Sequence, residues 1–239
     1  MPLPKIATPV YELELPSTGD TIQYRPFLVK EEKVLVIALE SEDTKQITTA
    51  IKNVIKNCIQ TKGIKVENLP TFDIEFLFLN IRGKSVGEEI EVSITCPDDG
   101  MTEVKQTINL DDIQVQKNDE HTNQIKIDDS IMMEMKYPSL DQFIKNNFDF
   151  NEKNAMDQSF DLIGTCIDKI YTEDEVWATE DCSKKEITDF LEQMNSSQFK
   201  AIEKFFETMP KLSHTIKVKN PNTKVVSDVV VEGLAGFFA

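Results

Sequence analysis

The chain has 239 residues, of which 40% are hydrophobic and 28% are charged, a composition typical of a globular protein rather than of a disordered or fibrous one. Its 26 Lys and Arg residues against 42 Asp and Glu residues give a net charge of −16, which disfavours nucleic acid and anionic membranes as partners. Its apolar runs are far shorter than the roughly 20 residues that span a bilayer, and we expect no signal peptide.

The residue types that common catalytic sites use are scarce. The chain has eight glycines and two histidines, whereas phosphate-binding loops need glycines and general bases are most often histidines. Its four cysteines, at positions 58, 96, 166 and 182, are too far apart to form a metal knuckle, and they indicate reduced thiols in a cytoplasm. The raw material for common catalytic sites is therefore thin, and we expect no cofactor, no metal and no small-molecule substrate.

The first third of the chain is predicted to form two short strands and then helices. The strands fall at residues 10–15 and 21–24, on either side of a turn that contains Pro16 and Gly19. Helices are predicted at residues 30–39, from Asp43 to about Thr61, and from Thr71 to near Gly83. The second helix has its apolar positions on one stripe, which includes Cys58, so we assign this cysteine to the core.

The pattern changes in the middle of the chain. Between residues 88 and 137 apolar residues alternate with polar ones, which is the period of antiparallel strands with one side facing solvent. The sequence Pro97-Asp98-Asp99-Gly100 interrupts this alternation and is typical of a hairpin turn.

The helical period returns after Pro138. Helices are predicted over residues 139–147, 152–171, 183–194 and 195–209, and capping boxes begin the first, third and fourth of them. A final hairpin is predicted over residues 215–219 and 224–231. The fold class is therefore α+β, with N-terminal helices, a central antiparallel sheet or ribbon, and C-terminal helices that end in a β-hairpin. The corresponding regions are residues 1–87, 88–137 and 138–239, with one composite domain as the alternative.

Two local motifs raise the question of a metal or catalytic site. Cys96 and Pro97 before a turn resemble half of a zinc ribbon, but Asp99 stands where the second cysteine belongs, which favours a plain turn. Five carboxylates surround Trp177, the only tryptophan, and two such groups can act as acid and base in a hydrolase: Glu173, Asp174, Glu175, Glu180 and Asp181. We interpret this segment as a solvated loop, because acidic residues occur throughout the chain. His121 and His214 stand in no recognisable catalytic motif.

The C-terminal segment is unusually apolar. Leu234, Phe237 and Phe238 lie within the last six residues, where most chains end in polar residues. Each phenylalanine can bury on the order of 200 Å², so these side chains either pack on the protein's own core or insert into a groove of a partner. We name these three residues as candidate partner-binding residues.

The order of these features resembles one protein family. The residues that carry the resemblance are Leu15-Pro16-Ser17-Thr18-Gly19, Arg25-Pro26-Phe27 with Glu31-Glu32-Lys33, the helix over 73–79, Cys96-Pro97, and the closing Glu232-Gly233-Leu234 with Phe237-Phe238. Together they resemble the baseplate proteins of T-even-type contractile-tailed phages, whose members act in building the central hub.

The resemblance implies a non-enzymatic assembly protein of the baseplate hub. It is either a chaperone or assembly catalyst that binds other baseplate and tail hub proteins, or a permanent structural subunit of the hub. The resemblance places it in the host cytoplasm during assembly, and in the virion tail baseplate if it remains there. The net charge favours a dissociable chaperone, because charge keeps a free chain from associating. The alternatives are a hydrolase that uses the acidic residues near Trp177 and a protein-binding adaptor of the host.

Overall fold

The computed structural model describes residues 6–41, 43–139 and 155–233. It combines helices with antiparallel sheets, so the predicted α+β class is confirmed. Contacts divide the chain into two compact units, which we call unit 1 (Met1–Gln116 with Lys211–Ala239) and unit 2 (Lys117–Pro210). The three-region division at residues 87 and 137 rests on changes in sequence periodicity, and it stays a prediction.

The elements follow one another in this order. Unit 1 begins with β1 (Tyr11–Glu14), β2 (Thr21–Tyr24), α1 (Val29–Glu40), α2 (Thr44–Cys58), α3 (Thr71–Val86), β3 (Glu89–Thr95), β4 (Glu103–Asn109) and β5 (Gln114–Gln116). Unit 2 comprises β6 (Gln124–Lys126), β7 (Met132–Met135), α4 (Ala155–Cys166), β8 (Ile167–Tyr171), β9 (Val176–Ala178), α5 (Lys184–Glu192) and α6 (Ser196–Thr208). The chain then returns to unit 1 with β10 (Lys211–Lys219) and β11 (Val226–Glu232).

All strand pairs are antiparallel within the described residues. In unit 1, β1 pairs with β2, β3 pairs with β4, and a third sheet has the order β11-β10-β5. In unit 2, four strands form a sheet in the order β6-β7-β8-β9. The predicted alternation over β3 and β4 and the predicted C-terminal hairpin are therefore confirmed.

The helix α2 buries the apolar stripe that its sequence predicts. Its five stripe residues are each at most 6% exposed: Ile47, Ile51, Val54, Ile55 and Cys58. Burial raises the pKa of the Cys58 thiol to about 11, so its assignment to the core is confirmed. The prediction that this helix continues to about Thr61 is wrong. The chain leaves the helix because Ile59 forms a β-bridge with Tyr24 and the Cys58 carbonyl accepts the N–H of Arg25 at 2.9 Å.

The helix α3 lies in the core of unit 1. Ile74, Leu77 and Ile81 are fully buried, as a helix that is apolar on most sides requires. The helix continues past the predicted end near Gly83 and stops at Val86. Gly87 terminates it with φ of 140°, a conformation that favours glycine, and its N–H donates to the Gly83 carbonyl.

The core of unit 2 lies between its sheet and its helices. Met133 and Ile167 from the sheet pack with Leu191, Ile202 and Phe205 from the helices. The capping boxes predicted at Ser183–Glu186 and Asn195–Gln198 are both present, so the predicted starts of α5 and α6 are confirmed. The helix predicted over 139–147 lies outside the described residues.

The helix predicted to run to Tyr171 is wrong in its last part. The helix ends at Cys166, and Ile167–Tyr171 is the strand β8. Ile167 and Ile170 are three residues apart, a spacing that is typical of a helical stripe. In the structure the register between β7 and β8 shifts at Glu134 and Met135, and this β-bulge lets Ile167 pair with Met135 while Ile170 pairs with Met133.

Candidate interaction surfaces

The turn that resembles half of a zinc knuckle lies at the tip of the β3–β4 hairpin. One oxygen of Asp99 accepts the N–H groups of Met101 and Thr102 at 3.0 and 2.9 Å, and its other oxygen lies 2.8 Å from Nδ2 of Asn220. Hydrogen bonds from the Thr102 hydroxyl, the two backbone amides and Asn220 hold the pKa of Asp99 well below its usual range. The carboxylate is therefore an acceptor that closes the turn.

The Cys96 thiol beside this turn is buried, with 1% of the residue exposed. Burial raises the pKa of the thiol. No group of three or more histidine, cysteine or acidic side chains could hold a metal ion in the part of the chain that the structure describes. The hairpin and the hydrogen bonds of Asp99 agree with the predicted plain turn.

The acidic segment around Trp177 is partly a solvated loop. Glu173, Asp174 and Glu175 lie in the exposed turn between β8 and β9, as the loop prediction requires. The rest of the segment forms the strand β9 and a 3-10 helix over Thr179–Asp181, so the loop prediction is wrong there. All five of its carboxylates are exposed, and Trp177 is 41% exposed. General acids in hydrolases owe their raised pKa to an apolar enclosure, and the exposed position of these carboxylates does not provide one.

The two histidines occupy structural positions. Nδ1 of His121 lies 3.0 Å from the Thr208 hydroxyl and Nε2 lies 2.9 Å from the Tyr137 hydroxyl, while the ring packs against Tyr137 and Phe205. Burial lowers the pKa of His121. His214 lies on β10, opposite Val231 of β11. Sequence reasoning found no partner for His121, because its contacts come from residues 16 and 87 positions away.

A buried ion pair joins two of the residues that carry the family resemblance. Nη2 of Arg25 lies 2.9 Å from Oε1 of Glu31, and Nη1 donates to the Pro26 carbonyl at 2.8 Å. The other oxygen of Glu31 accepts the Leu28 N–H at 2.8 Å, which caps the start of α1. Glu31 is only 4% exposed, so it needs these partners. Sequence reasoning missed this pair, although the residues were part of the resemblance.

The helix α1 presents an unusual amount of apolar surface. Four of its branched residues are exposed: Val29, Val34, Val36 and Ile37. A groove runs between α1 and α2, and its lining combines Val34, Ile37 and Ala38 with Gln46, Thr49, Ala50 and Asn53. The lining residues that the structure describes are apolar or uncharged, so they offer contact surface.

The candidate partner-binding residues Leu234, Phe237 and Phe238 lie outside the described residues. The described chain ends at Gly233, whose φ is 64°. A Cβ atom on Gly233 would lie 3.3 Å from Oε1 of Glu75, a buried residue of α3. Gly233, the last described residue, thus lies close to α3.

Comparisons with known proteins give the chain a family. A protein-family model described as T4 bacteriophage base plate protein matches residues 8–239. No curated protein and no solved structure shows a significant match to the chain. Among the described residues, no helix is long and apolar enough to cross a membrane. Because the family model covers nearly the whole sequence, the chain belongs to the T4 bacteriophage base plate protein family.

Proposed function

We propose that this baseplate protein acts in assembly of the baseplate hub, as a non-enzymatic chaperone or assembly catalyst that binds other hub proteins. The observation that carries the proposal is the family match over residues 8–239, which makes other baseplate proteins its natural partners. The net charge of −16 supports a chain that stays soluble when free and dissociates after assembly.

Two features of the chain support a binding role, one from the structure and one from the sequence. The exposed Val29, Val36 and Ile37 of α1 provide apolar surface of the kind that protein partners cover. The terminal Leu234, Phe237 and Phe238 provide a second apolar segment, and we propose them as an anchor for a hub protein. The acidic residues near Trp177 are exposed rather than enclosed, so no observation favours the hydrolase alternative.

The experiment compares infected cells with purified phage particles. A tagged copy of the protein is expressed during infection, and mass spectrometry identifies the proteins that co-purify from the lysate and the proteins present in the particles. We expect other baseplate proteins with the tagged chain in the lysate, and no tagged chain in the particles. A stoichiometric amount in the particles would establish the permanent subunit instead. A pull-down that recovers no baseplate protein would contradict the assembly role.

A further inference from the structure

The strand β9 is an edge of the sheet in unit 2. It pairs with β8 alone among the described residues, and the sheet order β6-β7-β8-β9 places it at one side. A row of paired residues crosses the four strands on the side of the core, from Ile125 through Met133 and Ile170 to Trp177. An edge strand of this kind leaves backbone hydrogen-bonding groups available for a further strand.

The apolar row does not close at this edge. Ile125 is 4% exposed and Met133 is fully buried, whereas Trp177 at the end of the row is 41% exposed. On the opposite face, Met132 pairs with Tyr171 and Tyr171 pairs with Val176, which is 66% exposed. Both rows therefore end in a large apolar side chain at β9, so a strand added there would gain apolar contacts on both faces.

The segment that contains β9 is strongly negative, and the nearest cation across the sheet, Lys169 opposite Ala178, is paired with Glu134. Residues 173–181 contain five carboxylates and no lysine or arginine. None of the five carboxylates forms an ion pair with any part of the chain that the structure describes. Unit 2 as a whole has 10 Lys and Arg residues against 21 Asp and Glu residues, a net charge of −11 out of −16. The edge is therefore matched in charge to a basic partner.

We propose that the β9 edge binds an extended, lysine- or arginine-rich segment of a protein partner by strand addition. Backbone hydrogen bonds to β9 supply affinity, Trp177 packs against the stem or the cation of a basic side chain, and the carboxylates steer and select the partner. The chemistry of this edge is independent of the hub role, and only the identification of the partner as a baseplate protein rests on the proposed function.

A second copy of this chain is a poor occupant of the same edge. Pairing β9 with β9 would bring two sets of five carboxylates together, and like charges across strands are destabilising. Charged edge strands also protect sheets from unwanted pairing. Protection of the edge against unwanted pairing would require only the charges, however. It would not explain why the apolar residues Val176 and Trp177 are exposed on this strand.

The position of Trp177 provides a direct test, because it is the only tryptophan in the chain and its fluorescence reports on this edge alone. The full-length protein is titrated with a short peptide of alternating lysine and valine. Two control peptides carry glutamate in place of lysine, or proline in place of the central valines. We expect a saturable change in fluorescence with the basic peptide, weaker binding at higher salt, no binding of the acidic peptide, and weak binding of the proline peptide, which cannot complete a strand.

Variants separate this edge from general attraction to an acidic protein. Glu173→Gln/Glu175→Gln should weaken binding roughly three- to ten-fold without changing the melting temperature, since both carboxylates are exposed. Trp177→Ala, followed with a labelled peptide, should weaken it at least about ten-fold. The control Glu203→Gln/Glu207→Gln makes the same change of charge at two exposed positions of α6 and should bind as the wild type does.

Three results would overturn the proposal. The first is that the Glu173/Glu175 and Glu203/Glu207 double variants weaken peptide binding equally. The second is that the proline and valine peptides bind equally well. The third is that the wild-type chain forms a dimer that Trp177→Ala abolishes. A peptide that binds as expected, together with an infected-cell pull-down without baseplate proteins, would leave the β9 edge as a basic-strand site and remove only the hub role.

Discussion

The side-chain amide of Asn220 lies 2.8 Å from Oδ2 of Asp99 and 3.1 Å from both carboxylate oxygens of Asp98. Asn220 is 1% exposed, and its side-chain oxygen accepts the backbone N–H groups of Asn222 and Thr223 at 2.8 and 3.3 Å. One buried amide therefore links the tip of the β10–β11 hairpin to the tip of the β3–β4 hairpin, and it organises its own turn at the same time.

Replacement of this amide should destabilise unit 1. We expect Asn220→Ala to lower the free energy of unfolding by about 1–3 kcal/mol, because it leaves hydrogen-bonding groups at both hairpin tips without their buried partner. The exposed neighbour Asn222, whose side chain donates to the Thr102 hydroxyl, is the control, and Asn222→Ala should change stability little. Urea unfolding of both full-length variants measures the difference. Equal losses for the two variants would show that the burial of Asn220 adds nothing to the link between the tips.

The Arg25–Glu31 ion pair gives a second prediction. Burial acts to raise the pKa of Glu31, but hydrogen bonds from Arg25 and from the Leu28 amide, with the positive charge of Arg25, outweigh it, and the pKa lies below 4.5. Arg25→Ala removes the hydrogen-bonded cation and leaves Glu31 with Lys30 alone, whose exposed ammonium lies 3.4 Å from Oε1, so it should cost about 1–3 kcal/mol of stability. Arg25→Lys restores the charge but cannot donate to both the Glu31 carboxylate and the Pro26 carbonyl, so it should recover only part of the lost stability.

A surface ion pair is the control for this variant. Lys105 and Glu91 pair across β3 and β4 with both side chains largely exposed, so Lys105→Ala should change the urea midpoint little.

The pH dependence of the stability that Glu31 contributes has a defined sign. Because the folded pKa of Glu31 lies below its unfolded value, its contribution is present above about pH 4.5 and is lost as pH falls through the folded pKa. A wild-type acid transition that Arg25→Ala leaves unshifted would contradict this role.

The neutral form of His121 is favoured by its hydrogen bonds. The Thr208 hydroxyl donates to the Lys204 carbonyl, so it accepts the proton of Nδ1, and Nε2 is left to accept from the Tyr137 hydroxyl. Burial lowers the pKa of His121 below 6.5. The unfolded chain therefore binds more protons at this position, and stability should fall as pH decreases through about 6.5 towards the folded pKa.

Melting temperatures between about pH 7.5 and 5.5 test this prediction, since the window brackets the 6.5 reference value. His121→Gln should reduce the loss of stability over this window relative to the wild type. The control His214→Gln removes the other histidine, and it should lose as much stability over this pH window as the wild type does. A His121→Gln variant with an unchanged pH dependence would show that the histidine does not determine it.

Local sequence signals were sufficient where one element determines its own structure. The stripe through Ile51 and Ile55 gave α2, and the capping boxes at Ser183 and Asn195 gave the starts of two helices. Each of these signals needs only residues within a few positions. Boundaries that depend on a partner were misplaced, as at Ile59, where pairing with Tyr24 ends α2.

Contacts between distant residues could not be obtained from periodicity. Leu212 pairs with Val115, although all of unit 2 lies between them in the sequence, and no local pattern predicts that pairing. The bulge at Asp168 made a strand look helical, because it places Ile167 and Ile170 on one face. The exposure of Trp177 at a sheet edge follows from the order of four strands. The sequence therefore showed the acidic residues near Trp177 but not its position on an exposed edge strand.

The last prediction concerns the terminal aromatic residues, which follow Gly233, the last residue that the structure describes. Gly233 adopts a φ of 64° beside the buried Glu75 of α3, so Gly233→Ala introduces both backbone strain and a close contact. This substitution should redirect the residues that follow it. If Leu234, Phe237 and Phe238 anchor a hub protein, we expect Gly233→Ala to reduce partner capture, although it changes no apolar side chain of the anchor.

The double variant Phe237→Ala/Phe238→Ala separates binding from stability. As a partner anchor, the pair should contribute about 2 kcal/mol or more to binding, so the variant should melt like the wild type and fail to capture baseplate proteins from infected cells. As a plug of the protein's own core, loss of even one phenylalanine should cost about 3–5 kcal/mol of stability. Removal of residues 234–239 provides the matched deletion, and its far-ultraviolet circular dichroism should retain the helical signal. A sharp fall in melting temperature, with partner capture intact in the folded fraction, would contradict the anchor, because the aromatic rings would then be serving the chain's own core.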